Sequence, residues 1–217
     1  MMINEMDGYL EKLLYSRNSF FSEMEEYAKE NGVPIMEPIG MEALLQLLRL
    51  HQPKSILEVG AAIGYSALRM ADALPEAKIV TIERDEERIE LAKQYFARLE
   101  SKERITLLEG DALETVEAAG EYGPFDAIFI DAAKGQYKRF FELYEPYLQP
   151  SGVIIVDNVL FKGLVAQDIE KIEPRRIRSL VRKINEFNKW LISHPKYDTA
   201  ILPIGDGVAI SKRRGEQ

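Results

Sequence analysis

Asp131 and Asp157 each close an apolar run, Ala127-Ile128-Phe129-Ile130 and Val153-Ile154-Ile155-Val156, and Asn158 follows the second. If the two runs are neighbouring strands, their ends bring two carboxylates and an amide together over one crevice. Like charges held that close repel unless a cation lies between them. Two carboxylates and an amide oxygen form a hard, all-oxygen set, which suits Mg²⁺ with water or substrate oxygens completing the octahedron. No histidine or cysteine stands near enough in the sequence to favour zinc or copper. Lys134, three residues after Asp131, has two readings. It is a base for an acceptor hydroxyl, helped toward its neutral form by a nearby cation, or it is an exposed lysine or charge partner for Asp131. Spacing leaves that choice open.

A second candidate site lies in the stretch from Ser55 to Ser66, Ser-Ile-Leu-Glu-Val-Gly-Ala-Ala-Ile-Gly-Tyr-Ser. It reads as strand, tight turn and helix, with Gly60 and Gly64 at the turn. Glycine there permits positive φ and close approach of a ligand, while the helix N-terminus offers free N–H groups. A dinucleotide fingerprint needs Gly-x-Gly-x-x-Gly, but position 62 is alanine, so the backbone lacks the pyrophosphate contact. S-adenosyl-L-methionine, an adenosine cofactor without phosphates, suits the pattern better. Glu58 stands two residues before Gly60. Glu83, 23 residues beyond it, is where a carboxylate accepts both hydroxyls of a ribose. Asp111-Ala112 could line the adenine; Asp111 and Asp85 are equally well read as helix N-caps.

These residues need a parallel sheet to position them. After residues 55–60, strands are expected at 78–83, 105–109, 125–131 and 152–157, alternating with helices at 65–74, 85–99, 111–119 and 137–148. Such alternation argues an α/β fold with helices on both faces and ligands beyond the carboxyl ends of the strands. The tail breaks the pattern: a helix over 174–192 precedes strands at 197–203 and 207–211, joined by Ile204-Gly205-Asp206, a hairpin signal. The expectation is a Rossmann-like, mostly parallel seven-stranded sheet finished by an antiparallel hairpin, as in class I methyltransferases. Upstream, residues 4–30 read as one helix carrying Tyr9, Leu13, Phe20, Met24 and Tyr27. Residues 33–40 read as a loop and 41–50 as an apolar helix. The chain is thus expected to be a single domain, 1–217, with an N-terminal helical cap over 1–50 and a cofactor-binding core over 51–217.

Composition bounds the rest. The 217 residues are 46% hydrophobic and 29% charged, with no cysteine, which places the chain among globular proteins and excludes disulfides and thiolate chemistry. No apolar run approaches the ~18 residues of a membrane span, and the N-terminus lacks a signal-peptide core; a cytoplasmic protein is expected. A net charge of −8 argues against a broadly cationic nucleic-acid coat. One local exception exists: Arg175, Arg178, Arg182 and Lys189 share a helix face, opposite Ile177, Leu180, Val181, Ile184 and Leu191. That face could hold tRNA phosphates, or be a solvated face balanced by Glu170, Glu173 and Glu186.

Taken together, residues 56–68, Gly110-Asp111-Ala112, residues 125–134 and Asp157-Asn158-Val159-Leu160-Phe161-Lys162-Gly163 resemble the cation-dependent O-methyltransferases, the group of the catechol and caffeoyl-CoA enzymes. The resemblance runs from about Met36 to Ser211. In length and in Pro34-Ile35-Met36 it leans toward bacterial tRNA 5-hydroxyuridine methyltransferases. It implies that Met36, Ser66, Glu83, Asp111, Ala112 and Asp131 contact S-adenosylmethionine, that Asp131, Asp157 and Asn158 hold Mg²⁺, and that Lys134 matches the catalytic lysine. Ala132-Ala133 departs from the catechol enzymes, whose bulky residues gate the ring there. The implied reaction is attack of a metal-stabilised oxyanion on the sulfonium methyl, since a phenol of pKa ~10 stays protonated at neutral pH without help. The expected acceptor is the wobble 5-hydroxyuridine of a tRNA anticodon loop, giving 5-methoxyuridine, with Arg175, Arg178 and Arg182 on the phosphates. A small catechol-like molecule is the alternative. The family habit suggests a homodimer through the N-terminal helices.

Overall fold

The computed structural model describes residues 2–14 and 17–215, with side chains from Gly8 onward. Its helices are α1 (Met2–Leu13), α2 (Ser19–Asn31), α3 (Pro38–His51), α4 (Tyr65–Ala73), α5 (Glu86–Phe96), α6 (Val116–Gly120), α7 (Tyr137–Tyr144) and α8 (Arg175–Ile192). The strands are β1 (Ser55–Val59), β2 (Lys78–Glu83), β3 (Ile105–Glu109), β4 (Phe125–Ile130), β5 (Leu148–Val156), β6 (Tyr197–Leu202) and β7 (Val208–Arg213). They form one sheet in the order β3-β2-β1-β4-β5-β7-β6. β1 to β5 run parallel, and β7 is antiparallel to both β5 and β6. The α/β sheet with its closing hairpin is the architecture the sequence pattern implies.

The central runs of β1, β2, β4 and β5 are mostly apolar on both sides because both faces are covered. Ile56, Ile79, Ala127 and Val153 point to one face and pack with α2, α3, α4 and α5. Their neighbours Leu57, Val80, Ile128 and Ile154 point to the other and pack with α6, α7 and α8. Full burial of each such aliphatic side chain is worth about 1.5–3 kcal/mol. No helix among the described residues is long and apolar enough to cross a membrane.

The boundaries differ where local chemistry overrides periodicity. Residues 4–30 are two helices, because Asn18 leaves helical geometry and its side chain accepts the Phe20 N–H at 3.1 Å, capping α2. Phe20 and Met24 are buried, whereas Tyr9 and Leu13 of α1 are exposed. α3 begins at Pro38, where a missing N–H costs a helix nothing. The expected 111–119 helix shrinks to α6, since Asp111 turns its carboxylate onto the Leu113 N–H at 2.9 Å. α7 stops before Pro146, and β5 begins at Leu148 with a register shift against β4 between Phe125 and Ala127.

Candidate active site

Backbone hydrogen bonds level the carboxyl ends of the parallel strands. Gly60 N–H donates to Ile82 O (3.1 Å), Asp131 N–H to Val59 O (3.0 Å), Asp157 N–H to Ile130 O (3.1 Å) and Gly110 N–H to Glu83 O (2.8 Å). The sheet order reverses between β1 and β4, and a crevice opens at such a reversal. A cleft of about 410 Å³ lies there, lined by Gly60, Ala62, Glu83, Asp111, Ala112, Asp131, Ala132, Ala133, Lys134 and Asn158 among others.

The glycines serve the protein's own packing first. Gly60 has φ +104°, and a Cβ on it would sit 2.1 Å from the Asp131 carbonyl oxygen. Gly64 has φ +81°, and its Cβ would sit 2.3 Å from the Phe96 ring. Gly60 thus lets the ends of β1 and β4 close on each other at the cleft. Gly64 lies outside the cleft lining and lets α4 and α5 approach.

On the cofactor side, Glu83 accepts N–H bonds from Ala62 (2.8 Å), Arg84 (2.8 Å) and Asp85 (3.0 Å). A carboxylate has about four lone-pair sites, so roughly one remains open where the sequence reading expects both ribose hydroxyls. Asp111 is likewise engaged, by Leu113 and by Arg84 at 2.9 Å; the Leu113 N–H, more than Arg84, holds its pKa down. Ala112 lines the cleft, and its carbonyl accepts the Tyr144 hydroxyl at 2.7 Å. Three residues named from sequence stand behind the wall instead. Glu58 is 0% exposed and takes the hydroxyls of Ser66 and Thr81. Burial pushes its pKa up to about 7 against those two hydrogen bonds. Ser66 and Met36 are also buried outside the cleft lining. Pro34, Ile35, Arg88, Gln136 and Phe140, which periodicity could not single out, add to the wall.

On the acid side, the Asn158 amide nitrogen donates to Asp131 Oδ1 (3.1 Å) and Asp157 Oδ2 (2.9 Å). The two carboxylates and the amide therefore meet at one point, as their strand-end positions imply. Asn158 holds φ +63°, a left-handed conformation asparagine tolerates better than most residues. Burial raises Asp131 to about 6, with Lys134 and Asn158 opposing and Asp206 adding. Asp157 is raised well above the usual carboxylate range, by burial first and then by Asp131. Two buried acids that resist joint ionisation are what a divalent cation relieves, and a half-turn of the Asn158 amide offers an oxygen where it now donates. Among the described residues no group of three or more His, Cys, Asp or Glu is placed to hold a metal, so the donor set that fits is the acid pair with the amide. Lys134 pulls both acids' pKa down without a salt bridge to either among the described residues. Its Nζ lies 5.8 Å from the Phe161 ring centroid. Phe161 belongs to the stretch that carries the family resemblance and Asp206 to the expected hairpin turn; Phe161 sits at φ +45° in the loop after Asn158, a conformation no pattern announces.

Two arginines of α8, Arg178 and Arg182, are paired with acids. Arg178 bonds the Ile172 carbonyl at 3.0 Å and pairs with Glu173 and, at 3.6 Å, with Glu170; Arg182 reaches Glu170 at 3.8 Å. Arg175 is exposed. None of the three lines the cleft. The buried stripe is Val181, Ile184, Phe187 and Leu191, with Ile177 and Leu180 only half-buried.

Known proteins resemble this chain over most of its length. A family model described as O-methyltransferase matches residues 15–214. A caffeoyl-CoA O-methyltransferase of Populus kitakamiensis is 33% identical over 193 residues, covering 87% of this chain and 82% of that protein. A Staphylococcus aureus structure provisionally assigned as a caffeoyl-CoA O-methyltransferase is 41% identical with a TM-score of 0.90, covering 96% of this chain and 99% of its own. An SAH-bound methyltransferase of Podospora anserina is 26% identical with a TM-score of 0.86, covering 98% and 95%.

Proposed function

The chain belongs to the O-methyltransferase family, and from that premise we propose that it methylates one oxygen of a vicinal, metal-chelating pair on a small catechol- or caffeoyl-type acceptor. It is an S-adenosylmethionine-dependent O-methyltransferase. The observation that carries the acceptor class is the junction of Asp131, Asp157 and Asn158 beside Lys134 at one end of the cleft. The small molecule is favoured over a polynucleotide because Arg178 and Arg182 are balanced by Glu170 and Glu173.

In this reading Gly60, Glu83, Asp111 and Ala112 hold the adenosine end of the cofactor, and Asp131, Asp157 and Asn158 hold Mg²⁺. The bound cation supplies positive charge that stabilises the acceptor's oxyanion at neutral pH. Lys134 takes up the proton of the acceptor hydroxyl. Bound in the cleft lined by Gly60, Glu83, Asp111 and Ala112, S-adenosylmethionine would supply the methyl group to that oxygen, the carbon–sulfur electron pair leaving with sulfur. Opposite charges merge in that step, so the low-dielectric walls around Asp131 favour it once both partners are held in contact.

One observation supports methylation of tRNA 5-hydroxyuridine as a second reading. Ala132 and Ala133 leave the acceptor end ungated, and beside it Lys134, Lys138, Lys183 and Trp190, with one acid, Glu186, line an open groove of about 330 Å³. Cations interleaved with an aromatic ring suit an unpaired nucleotide. Label transfer from S-adenosylmethionine to catechol, caffeoyl-CoA and tRNA lacking its native methylation, each with Mg²⁺ or EDTA, separates the readings. Mg²⁺-dependent label in the small diols supports the first; label in tRNA alone overturns it in favour of the second. The exposed Tyr9 and Leu13 of α1 and Leu50 of α3 support a homodimer through these helices, which light scattering tests.

A further inference from the structure

Arg69 of α4 is a cation only 5% exposed, and its fork reaches toward two other helices. One nitrogen donates to Glu42 of α3 at 2.6 Å. The other donates to the Tyr65 hydroxyl at 2.7 Å, and that hydroxyl donates in turn to Glu25 of α2 at 2.5 Å. Burial first, then the Glu25 carboxylate, keeps the Tyr65 phenol protonated and so able to donate. Glu25 also takes Arg17 at 2.8 Å, so two cations meet two acids. The Arg69 guanidinium lies 5.2 Å from the Phe21 ring centroid and 5.6 Å from that of Tyr65, so aromatic rings stand beside the cation as well as acids.

All three helices lead to the cofactor cleft. α4 opens directly after the turn of residues 60–64, of which Gly60 and Ala62 line it. α2 and α3 are joined by a strap, residues 32–37, of which Pro34 and Ile35 line it. The strap is held at its start by the Val33 N–H on the Ala28 carbonyl at 2.9 Å, and Met36 within it is buried against Gly40. The Arg69 cluster therefore ties the strap to the glycine turn, two parts of one lining. Apolar residues of like volume would pack these helices as well. What the guanidinium adds is direction, because its N–H groups diverge in one plane and tolerate little rotation of either partner.

We propose that Arg69 is a positioning residue for the cofactor: through Glu42 and the Tyr65–Glu25 bond it sets the strap of residues 32–37 against S-adenosylmethionine. This rests on the reading that the cleft beside Glu83 is the cofactor site. Arg69 lies outside the cleft lining, so it acts through Pro34 and Ile35 rather than by touching the ligand. Removing one partner of a buried charged pair leaves the other uncompensated, and the helix that carried the lost partner is then free to turn and carry the strap with it.

The test is calorimetric titration of the full chain with S-adenosylmethionine, with urea unfolding and amide hydrogen exchange on the same samples. Glu42→Gln, which keeps an acceptor oxygen and removes the charge, is expected to weaken cofactor binding roughly tenfold, the size of one lost charge-assisted hydrogen bond. Exchange over residues 32–37 should rise while that of the sheet strands stays as in wild type. Arg69→Met should weaken the cofactor further. In an Ile35→Ala background Glu42→Gln should cost much less than in wild type, because both act through the strap. A Glu42→Gln protein that loses stability yet binds the cofactor as wild type does overturns the proposal and leaves the cluster purely structural. Full multiplicativity with Ile35→Ala overturns it as well. If Glu83→Ala binds S-adenosylmethionine as tightly as wild type does, the cleft is not the cofactor site and the role of Arg69 falls with that reading.

Discussion

Replacing Gly60 with alanine puts a methyl carbon 2.1 Å from the Asp131 carbonyl oxygen and 2.9 Å from its carbonyl carbon. Ordinary contact for such atoms begins near ~3.5 Å, so the ends of β1 and β4 must part by more than about 1 Å. That opening strains the Asp131 N–H to Val59 O bond, now 3.0 Å, a net interaction of about 1 kcal/mol. Overpacking adds about 1–3 kcal/mol, and an alanine at φ +104° about 1–3 kcal/mol more. The expected loss is about 3–7 kcal/mol, a large share of the 5–15 kcal/mol typical of a folded domain. It moves Asp131 at the same time, so cofactor and metal binding should fall together. Urea unfolding gives the first quantity, and calorimetric titration with S-adenosylmethionine the second. Gly64→Ala is the control. Its obstacle is a side chain, so Gly64→Ala combined with Phe96→Ala should recover part of the loss from Gly64→Ala, whereas no side-chain trimming can relieve Gly60→Ala, which meets backbone. A Gly60→Ala protein less than 1 kcal/mol weaker, with unchanged cofactor affinity, would refute the close-approach argument.

Other consequences are open to measurement. Because Glu58 is raised from 4.5 to about 7, the folded state keeps a proton the unfolded chain gives up. This contribution is present below pH 4.5 and lost as pH rises through about 7, roughly 3 kcal/mol in all. Glu58→Gln should flatten that decline in urea midpoints between pH 5 and 8, and an unchanged slope would assign it elsewhere. Lys134→Met should lower kcat by about 10²-fold or more with the cofactor Kd within a few-fold; a fall in cofactor affinity alone would make Lys134 a binding residue. Double charge reversal at Arg178 and Arg182 should leave turnover of a small diol within about twofold, since both arginines already answer to acids at the surface. Selective loss of tRNA methylation in that variant would restore the basic face as a docking surface.

The alternation of apolar strands and helices announces the sheet, and residues 78–83 and 105–109 become β2 and β3 without adjustment. The acid pair was legible for the same reason. A strand that ends in Asp after four apolar residues can place that carboxylate only at the ligand edge, and Asp131, Asp157 and Asn158 do meet there. Other positions depended on what stands across the gap. Nothing in the residues near Gly64 names Phe96, 32 positions away. Glu58 and Ser66 satisfy each other behind the wall rather than in the cleft. Arg178 and Arg182 share a helix face with room for phosphates until Glu170 and Glu173 fold back onto it. Asp206 comes to the loop after Asn158 only when the hairpin turn closes on it, its carbonyl accepting the Leu160 and Phe161 N–H groups. Periods of 2 and 3.6 residues are properties of a local backbone, so the sequence determines which way each side chain faces. Which groups then share one buried space is set by register and packing between distant segments, and with it which charges are free to do chemistry.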